Sequence, residues 1–163
     1  MSVFKTTFSR ALRVIPTDNA NVPYPAIVKS GTNTSAVANQ LVDTEGDFIN
    51  AGVTTGDIVY NTTDGTAATV VSVTSATVIV LNADIFGASG KVYTIYQASS
   101  QTTIGNQGCF LYVGGAGNVA VTTIGGDEVT FTAVPIGTVL PVQVLKVKAS
   151  GSGTTATLIN ALW

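Results

Sequence analysis

Runs of alternating β-branched and aromatic residues, broken by glycine, proline and aspartate, cover most of this 163-residue chain. The segment 118–124, N-V-A-V-T-T-I, is typical, because its side chains alternate between two faces in an extended chain. β-Branched residues favour strands, since a helix restricts their χ1 freedom. No stretch carries the 3.6-residue apolar period of a long amphipathic helix. The sequence therefore predicts an all-β protein: a β-sandwich or jelly-roll-like domain with an inserted small β-barrel-like unit.

Turn residues predict where the strands begin and end. Asp64 and Gly65 lie between two β-rich runs and predict a hairpin, because both tolerate positive φ. Segment 47–53 is expected to form one helical turn. Connections are expected at 16–25, 30–35 and 98–107. Strands are expected at 11–15, 57–63, 66–73, 76–81, 91–96, 118–124, 128–131, 138–149 and 156–163, with another beginning at Cys109.

A glycine cluster raises the question of a nucleotide site. Gly115, Gly117 and Ala120 match the G-x-G-x-x-A pattern of dinucleotide-binding proteins. In those proteins the glycines open a helix whose N-terminus holds the pyrophosphate. Here the β-branched segment 118–124 follows, which favours a strand. The expectation is therefore three strands joined by two glycine turns, the second at 125–127.

The charges divide the chain into two predicted units. Residues 26–104 hold two basic groups and six acids, a net charge of −4, whereas the remaining residues hold five basic groups and three acids, a net charge of +2. We therefore expect residues 26–104 to form an inserted small β-domain. Residues 1–25 and 105–163 would form one discontinuous β-domain.

The residue inventory offers little for catalysis or cofactor binding. The chain has no histidine, which removes the usual general base and most zinc chemistry. Most acids lie beside glycine, in turn positions. Asp43, Glu45 and Asp47 faintly resemble a calcium loop but lack its other ligands, so capping acids in a turn are favoured. No catalytic, cofactor-binding or metal-binding residue is predicted, and Cys109 is expected to be a buried small hydrophobe.

Composition bears on partners. Only 10% of the residues are charged, and 45% are hydrophobic. Either copies of the chain or a partner cover much of the surface, or threonine and serine hydroxyls replace charges on it. The formal net charge of −2 argues against nucleic acid, and no run reaches the roughly 18 apolar residues of a membrane span.

Five segments occur in an order that resembles the head spike base family of tailed phages and gene transfer agents. They are V-I-P-T-D at 14–18, F-L-Y-V-G-G-A-G-N-V at 110–119, G-D-E-V-T-F-T at 126–132, G-T-V-L-P-V at 137–142 and G-T-T-A-T-L-I-N-A-L-W at 153–163. The resemblance covers residues 11–25 and 108–163, less than half of the chain. L-V-D at 41–43, residues 52–63 and the strands after them look like a module that recurs in phage virion proteins, here placed as an insertion.

The resemblance implies a non-enzymatic structural protein on the outside of a phage head, either a vertex spike base or a capsid decoration (cement) protein. Its implied partners are the major capsid protein, further copies in a trimer or pentamer, and a head fibre. Its implied locations are the virion, and the host cytoplasm during assembly. The alternative is a host-glycan-binding or tail-fibre adhesive module, for which only Tyr60, Tyr93 and Tyr96 could supply an aromatic cluster.

Six residues are candidates for an oligomer or capsid interface. Phe4 and Phe8 lie four residues apart in an N-terminal arm, residues 1–10, that is expected to dock on the particle. Leu140, Val142 and Val144 share one face of a strand that is apolar on both faces. Trp163 ends the chain and is expected to pack into the core or at a subunit boundary, because its ring is large and apolar.

Overall fold

The computed structural model describes residues 8–98 and 108–163. These residues form twelve β-strands, one α-helical turn and one 3₁₀ turn at Ser150–Ser152, which confirms the all-β prediction. The strands are β1 (Ala11–Arg13), β2 (Ile27–Thr32), β3 (Gln40–Val42), β4 (Ile58–Asn61), β5 (Thr66–Val73), β6 (Val78–Leu81), β7 (Val92–Tyr96), β8 (Cys109–Gly115), β9 (Gly117–Thr123), β10 (Glu128–Val134), β11 (Thr138–Val147) and β12 (Thr157–Leu162). The helical turn α1 (Phe48–Ala51) lies inside the predicted segment 47–53.

The first and last parts of the chain build one antiparallel sheet, here called the terminal sheet. Its strand order is β1-β12-β8-β11-β9-β10. Alternation along β8 sends Cys109, Leu111 and Val113 into the core and Phe110 and Tyr112 to the other face. The inward residues belong to a terminal core that also includes Val119, Val121, Leu140, Val144, Val147, Ile159 and Ala161.

The glycine cluster bends the chain but does not form the expected hairpin. β8 and β9 are not neighbours, because β11 lies between them and pairs with both. The first predicted glycine turn is therefore wrong. The glycines instead leave space for the chain at the start of β12. A Cβ at Gly117 would lie 2.5 Å from the backbone nitrogen of Ala156, and a Cβ at Gly115 would collide with Thr157. β9 follows the cluster where a nucleotide site would need a helix.

The second glycine turn forms as predicted. β9 and β10 pair in antiparallel fashion, with Glu128 opposite Thr122. The N–H of Gly126 donates to the carbonyl of Thr123 at 3.0 Å, and the N–H of Thr123 donates to the carbonyl of Asp127 at 2.9 Å. Gly126 has φ +93°, a value that favours glycine.

The middle of the chain builds a second antiparallel sheet, here called the central sheet. Its order is β2-β7-β4-β5-β6-β3, and the predicted hairpin at Gly65 joins β4 to β5. A bridge between Ser35 and Val42 links the chain after β2 to β3, so the strands close into a barrel-like ring. Inside it lies a separate central core, which includes Leu41, Phe48, Val59, Val70, Ile79, Tyr93 and Ile95.

Two strands of the central sheet were not predicted. Residues 30–32 were expected in a polar connection but form the end of β2, which pairs with β7. β3 is only three residues long and pairs with β6. Neither segment has a strong apolar alternation, and both become strands because a distant partner completes their backbone hydrogen bonds.

The two sheets pack against each other through a small third cluster. Ala20, Ile58, Tyr60 and Ala67 are buried there, with Leu12, Ile15 and Tyr96 packed against them. One sheet takes its strands from 11–13 and 109–162, and the other takes all of its strands from 27–96. Independent folding of residues 26–104 stays a prediction.

Candidate interaction surfaces

The interface residues predicted on β11 point into the protein. Leu140 is 5% exposed and Val144 is 1% exposed, and both belong to the terminal core. Val142 is half-buried and packs against the same core. Leu140 and Val144 therefore offer no surface to a partner, and their assignment to an interface is corrected. The sequence could not separate the two faces of β11, because both are apolar.

The opposite side of the terminal sheet carries a group of exposed and half-buried apolar residues. Phe8, Phe110, Tyr112, Val139 and Leu158 form this surface, here called the outer face. Tyr112 lies directly opposite Val139, and the rings of Phe8 and Phe110 are 5.6 Å apart. A Cβ at Gly114 would lie 2.9 Å from the Cβ of Leu158, which places Leu158 beside β8. Of the five, Phe8 alone was predicted; Phe4 lies outside the described residues.

The outer face extends over several strands, and polar side chains lie among and beside its apolar residues. Cross-strand neighbours place Leu162 beside Phe110, and Asn160 beside Tyr112, with Arg13 beyond Asn160 at the β1 edge. None of these residues is acidic. Tyr112, Val139 and Leu158 are exposed. Apolar side chains that lie together in this way mark a surface suited to contact with another protein.

Trp163 lies where the two ends of the described chain meet. Its N–H donates to the carbonyl of Arg10 at 2.9 Å, and its carbonyl accepts the N–H of Ser9 at 2.6 Å. The ring is half-buried against the terminal core and meets Tyr24 edge-on, with 5.7 Å between centroids. The guanidinium of Arg10 lies over the Tyr24 ring at 5.3 Å.

A groove of about 390 Å³ lies between the two sheets. Leu12, Arg13, Ile15, Tyr60 and Tyr96 are among its lining residues. Tyr60 is only 4% exposed and meets Tyr96 edge-on, with 5.2 Å between the ring centroids. Burial raises the pKa of Tyr60. Its ring is therefore committed to packing between the sheets and is not free to stack on a sugar.

The third tyrosine lies elsewhere, inside the central sheet. The hydroxyl of Tyr93 donates to Asp43 Oδ2 at 2.6 Å, and the N–H of Glu45 donates to Asp43 Oδ1 at 2.9 Å. Burial, and then the carboxylate of Asp43, raise the pKa of Tyr93. The carboxylate of Asp47 faces elsewhere and accepts from Asn50 at 2.9 Å. In the ranges 8–98 and 108–163, no three acidic, histidine or cysteine residues converge as metal ligands.

Cys109 is a buried small hydrophobe, as predicted. It is 2% exposed, and its thiol donates to the carbonyl of Val144 at 3.4 Å. Burial raises the pKa of this thiol to about 12. A thiol with so high a pKa is almost wholly protonated near neutral pH and is a poor nucleophile.

Comparisons with known proteins give no assignment. The chain matches no family model, and neither the curated proteins nor the solved structures contain a significant match. Within the described ranges, no helix has the length and apolar character needed to cross a bilayer.

Proposed function

We propose that this chain is a non-enzymatic structural protein on the outside of a phage head, as a vertex spike base or a capsid decoration protein. The outer face of the terminal sheet is the observation that carries the proposal. The segments that resemble the head spike base family, 11–25 and 108–163, are the ones that build this sheet and its core. The family resemblance and the candidate surface thus fall on the same part of the molecule.

The surface suits a binding role in which no bond is made or broken. Tyr112 and Val139 present apolar side chains on a rigid antiparallel ladder, so little conformational entropy is lost when a partner covers them. Aromatic residues are enriched at the centres of protein interfaces, and charged residues are depleted there. The proposed partner of the outer face is the major capsid protein. Further copies of the chain and a head fibre are the other proposed partners. The proposed locations are the virion and, during assembly, the host cytoplasm.

The glycan-binding alternative has less support. It needs exposed aromatic rings along a groove, whereas Tyr93 lies in the central core and Tyr60 is packed between the sheets. Tyr96 is half-buried, and its ring already packs against Tyr60. A glycan array with the purified protein tests this alternative, and specific sugar binding that is lost in Tyr96→Ala would favour it.

The proposal is tested on particles of the phage that encodes the chain. Purified protein should rebind to heads that lack it, and electron microscopy should show density on the head exterior. Val139→Lys should lower the occupancy at least about tenfold, because it brings a charge into an apolar contact. Val71→Lys is a matched control, since Val71 is 49% exposed and Val139 is 41% exposed, and both lie on strands. Equal occupancy of the two variants, or no binding of the unmodified protein, would refute the proposal.

A further inference from the structure

Among the residues that the structure describes, β10 is an edge strand of the terminal sheet with a partner on one side only. It pairs with β9 on one side and is the last strand in the order. Residues 128–130, 132 and 133 are exposed, so the strand projects from the sheet. Free strand edges offer unpaired N–H and C=O groups to another strand, and natural sequences usually block them with charges or proline. β10 carries one charge, Glu128 at its first position, and Pro135 follows its last residue, whereas the stretch between them, 129–134, V-T-F-T-A-V, contains neither.

The hairpin geometry identifies which backbone groups are free. The N–H of Thr123 donates to the carbonyl of Asp127, and the carbonyl of Thr123 accepts from the N–H of Gly126, so both backbone groups of Thr123 point toward the β10 side of the hairpin. Antiparallel pairing alternates, so Val129 and Phe131 direct their backbone groups toward β9. Glu128, Thr130 and Thr132 therefore direct theirs outward, and no described residue pairs with that side of β10. This regular edge ends at the bulge that begins after Phe131, where Ala133 has φ +52°.

The side chains of β10 are also incompletely covered. Phe131 packs against the terminal core but is only half-buried, and Val129 is 41% exposed. Both lie on the face of β10 that continues the core. Glu128, Thr130 and Thr132 occupy the other face, where Glu128 forms an ion pair with Lys148 at 2.6 Å. A strand added beside β10 would thus satisfy the edge and cover Val129 and Phe131 together.

We propose that β10 pairs in antiparallel fashion with β10 of a second copy of this chain, about a two-fold axis at Thr130. In this register Thr130 faces Thr130 of the second copy, and Glu128 faces its Thr132. The central Thr130 pair forms two new backbone hydrogen bonds, and the two Glu128–Thr132 pairs, which reach the first residue of each bulge, add at most about four more. On the core face, Val129 of each copy lies against Phe131 of the other.

The second copy fits the edge better than an unrelated strand because the pattern of β10 is complementary to itself. The two-fold register places Val129 against Phe131, Thr130 against Thr130 and Glu128 against Thr132, and the two Glu128 side chains lie at opposite ends of the ladder. Like charges directly opposite each other are thereby avoided. The inference rests on backbone geometry and does not depend on the proposed virion role. Its two-fold symmetry also differs from the trimer or pentamer that the family resemblance implies.

A cysteine at the axis tests the register. In Thr130→Cys the two cysteines occupy a hydrogen-bonded pair with Cα atoms about 5.5 Å apart, which is within disulfide range. Thr132→Cys is the matched control: it lies on the same edge and face, but its two copies would be about 14 Å apart. Cys109 is buried and does not compete. Under mild oxidation at micromolar concentration, Thr130→Cys should form covalent dimers at least about tenfold faster than Thr132→Cys.

A second variant tests the pairing without a disulfide cross-link. Thr130→Pro removes an N–H that points away from β9, so the hairpin keeps its own bonds while the edge loses a central one. Sedimentation should show that the unmodified protein and Thr130→Ala associate through the two-fold contact into dimers. Thr130→Pro should lose this association, while its circular dichroism spectrum stays unchanged. A monomeric unmodified protein at about 100 μM, or equal cross-linking of the two cysteine variants, would overturn the proposal.

Discussion

Asp43 shows how single residues hold the central core together. It is 3% exposed, and each of its carboxylate oxygens accepts a hydrogen bond, from Tyr93 and from the backbone of Glu45. Burial of an unpaired carboxylate is costly, so these donors are essential to its position. Gly31 lies directly across from Tyr93, and a Cβ there would lie 2.6 Å from the tyrosine hydroxyl. Glycine at position 31 therefore makes room for the pair.

Tyr93→Phe tests this pair. The variant keeps the ring but leaves Asp43 without its hydroxyl donor, so the free energy of unfolding should fall by about 1–3 kcal/mol. Tyr96→Phe, on the same strand, is the control. The hydroxyl of Tyr96 bonds to no described residue, and its loss should change the free energy by less than about 0.5 kcal/mol. Chemical denaturation measures both, and equal losses would contradict the assigned role of Asp43.

Trp163 supports a second prediction at the scale of a residue. Its ring packs against the terminal core and Tyr24 but is only half-buried. Trp163→Ala should therefore cost about 1.5–3 kcal/mol, less than full burial would imply. Leu158→Ala, on the exposed outer face, should cost less than about 0.5 kcal/mol. Urea unfolding curves for the two variants should differ clearly, and a Trp163→Ala loss as small as that of Leu158→Ala would show that the ring contributes little.

At the scale of elements, one aspartate fastens the loop before β2 to the end of β11. Ser152 Oγ donates to Asp18 Oδ2 at 2.6 Å, and the N–H of Ala149 donates to Oδ1 at 3.3 Å. Lys146 Nζ donates to the carbonyl of Asp18 at 3.0 Å. The hydrogen bond from Ser152, with help from the bond to Ala149 and the nearby lysines, lowers the pKa of Asp18 below its ordinary 3.8.

The lowered pKa predicts a pH dependence. A carboxyl whose pKa is lower in the folded state stabilises the fold above its unfolded pKa, and this stabilisation is lost as pH falls through the folded pKa. Asp18→Asn should reduce the free energy of unfolding by about 0.5–1 kcal/mol at pH 7, since the group is mostly exposed. The difference in free energy of unfolding between Asp18→Asn and the unmodified protein should shrink as pH falls below about 4. Urea unfolding at pH 7 and pH 3 measures it, and a constant difference would contradict the assignment.

At the scale of the whole molecule, the geometry of the chain suits the removal of residues 26–104. β2 and β7 are neighbours, and the N–H of Gln97 donates to the carbonyl of Ala26 at 3.0 Å, so the central sheet begins and ends at one place. Each sheet has its own core. The contact between the sheets is smaller and includes Leu12 and Ile15, which deletion would uncover.

We predict that joining Pro25 to Gly108 through a short Gly/Ser linker leaves a folded terminal sheet. It should be less stable than the full chain, because Leu12 and Ile15 lose their cover. Leu12→Thr in the shortened chain is expected to restore solubility if the uncovered patch causes association. Circular dichroism and dispersed amide resonances would show a folded product. If the shortened chain is unfolded both with and without Leu12→Thr, the prediction that the terminal sheet folds independently of residues 26–104 is wrong.

The sequence by itself determined the features that depend on neighbouring residues. Strand alternation predicted an all-β chain, and turn chemistry predicted the hairpins at Gly65 and Gly126, because these patterns act over a few residues. The helical turn α1 and the burial of Cys109 were also predicted from local pattern.

Tertiary structure decided which strands lie side by side and which apolar face is covered. The glycine cluster looked like a hairpin, but β11 lies between β8 and β9 and pairs with both. The glycines instead leave space for residues 155–157, which approach them too closely for any side chain. Both faces of β11 are apolar, and only the packed sheet shows that Leu140 and Val144 fill the core while Val139 is exposed. Strand order and burial depend on partners far apart in the chain, and no local pattern contains that information.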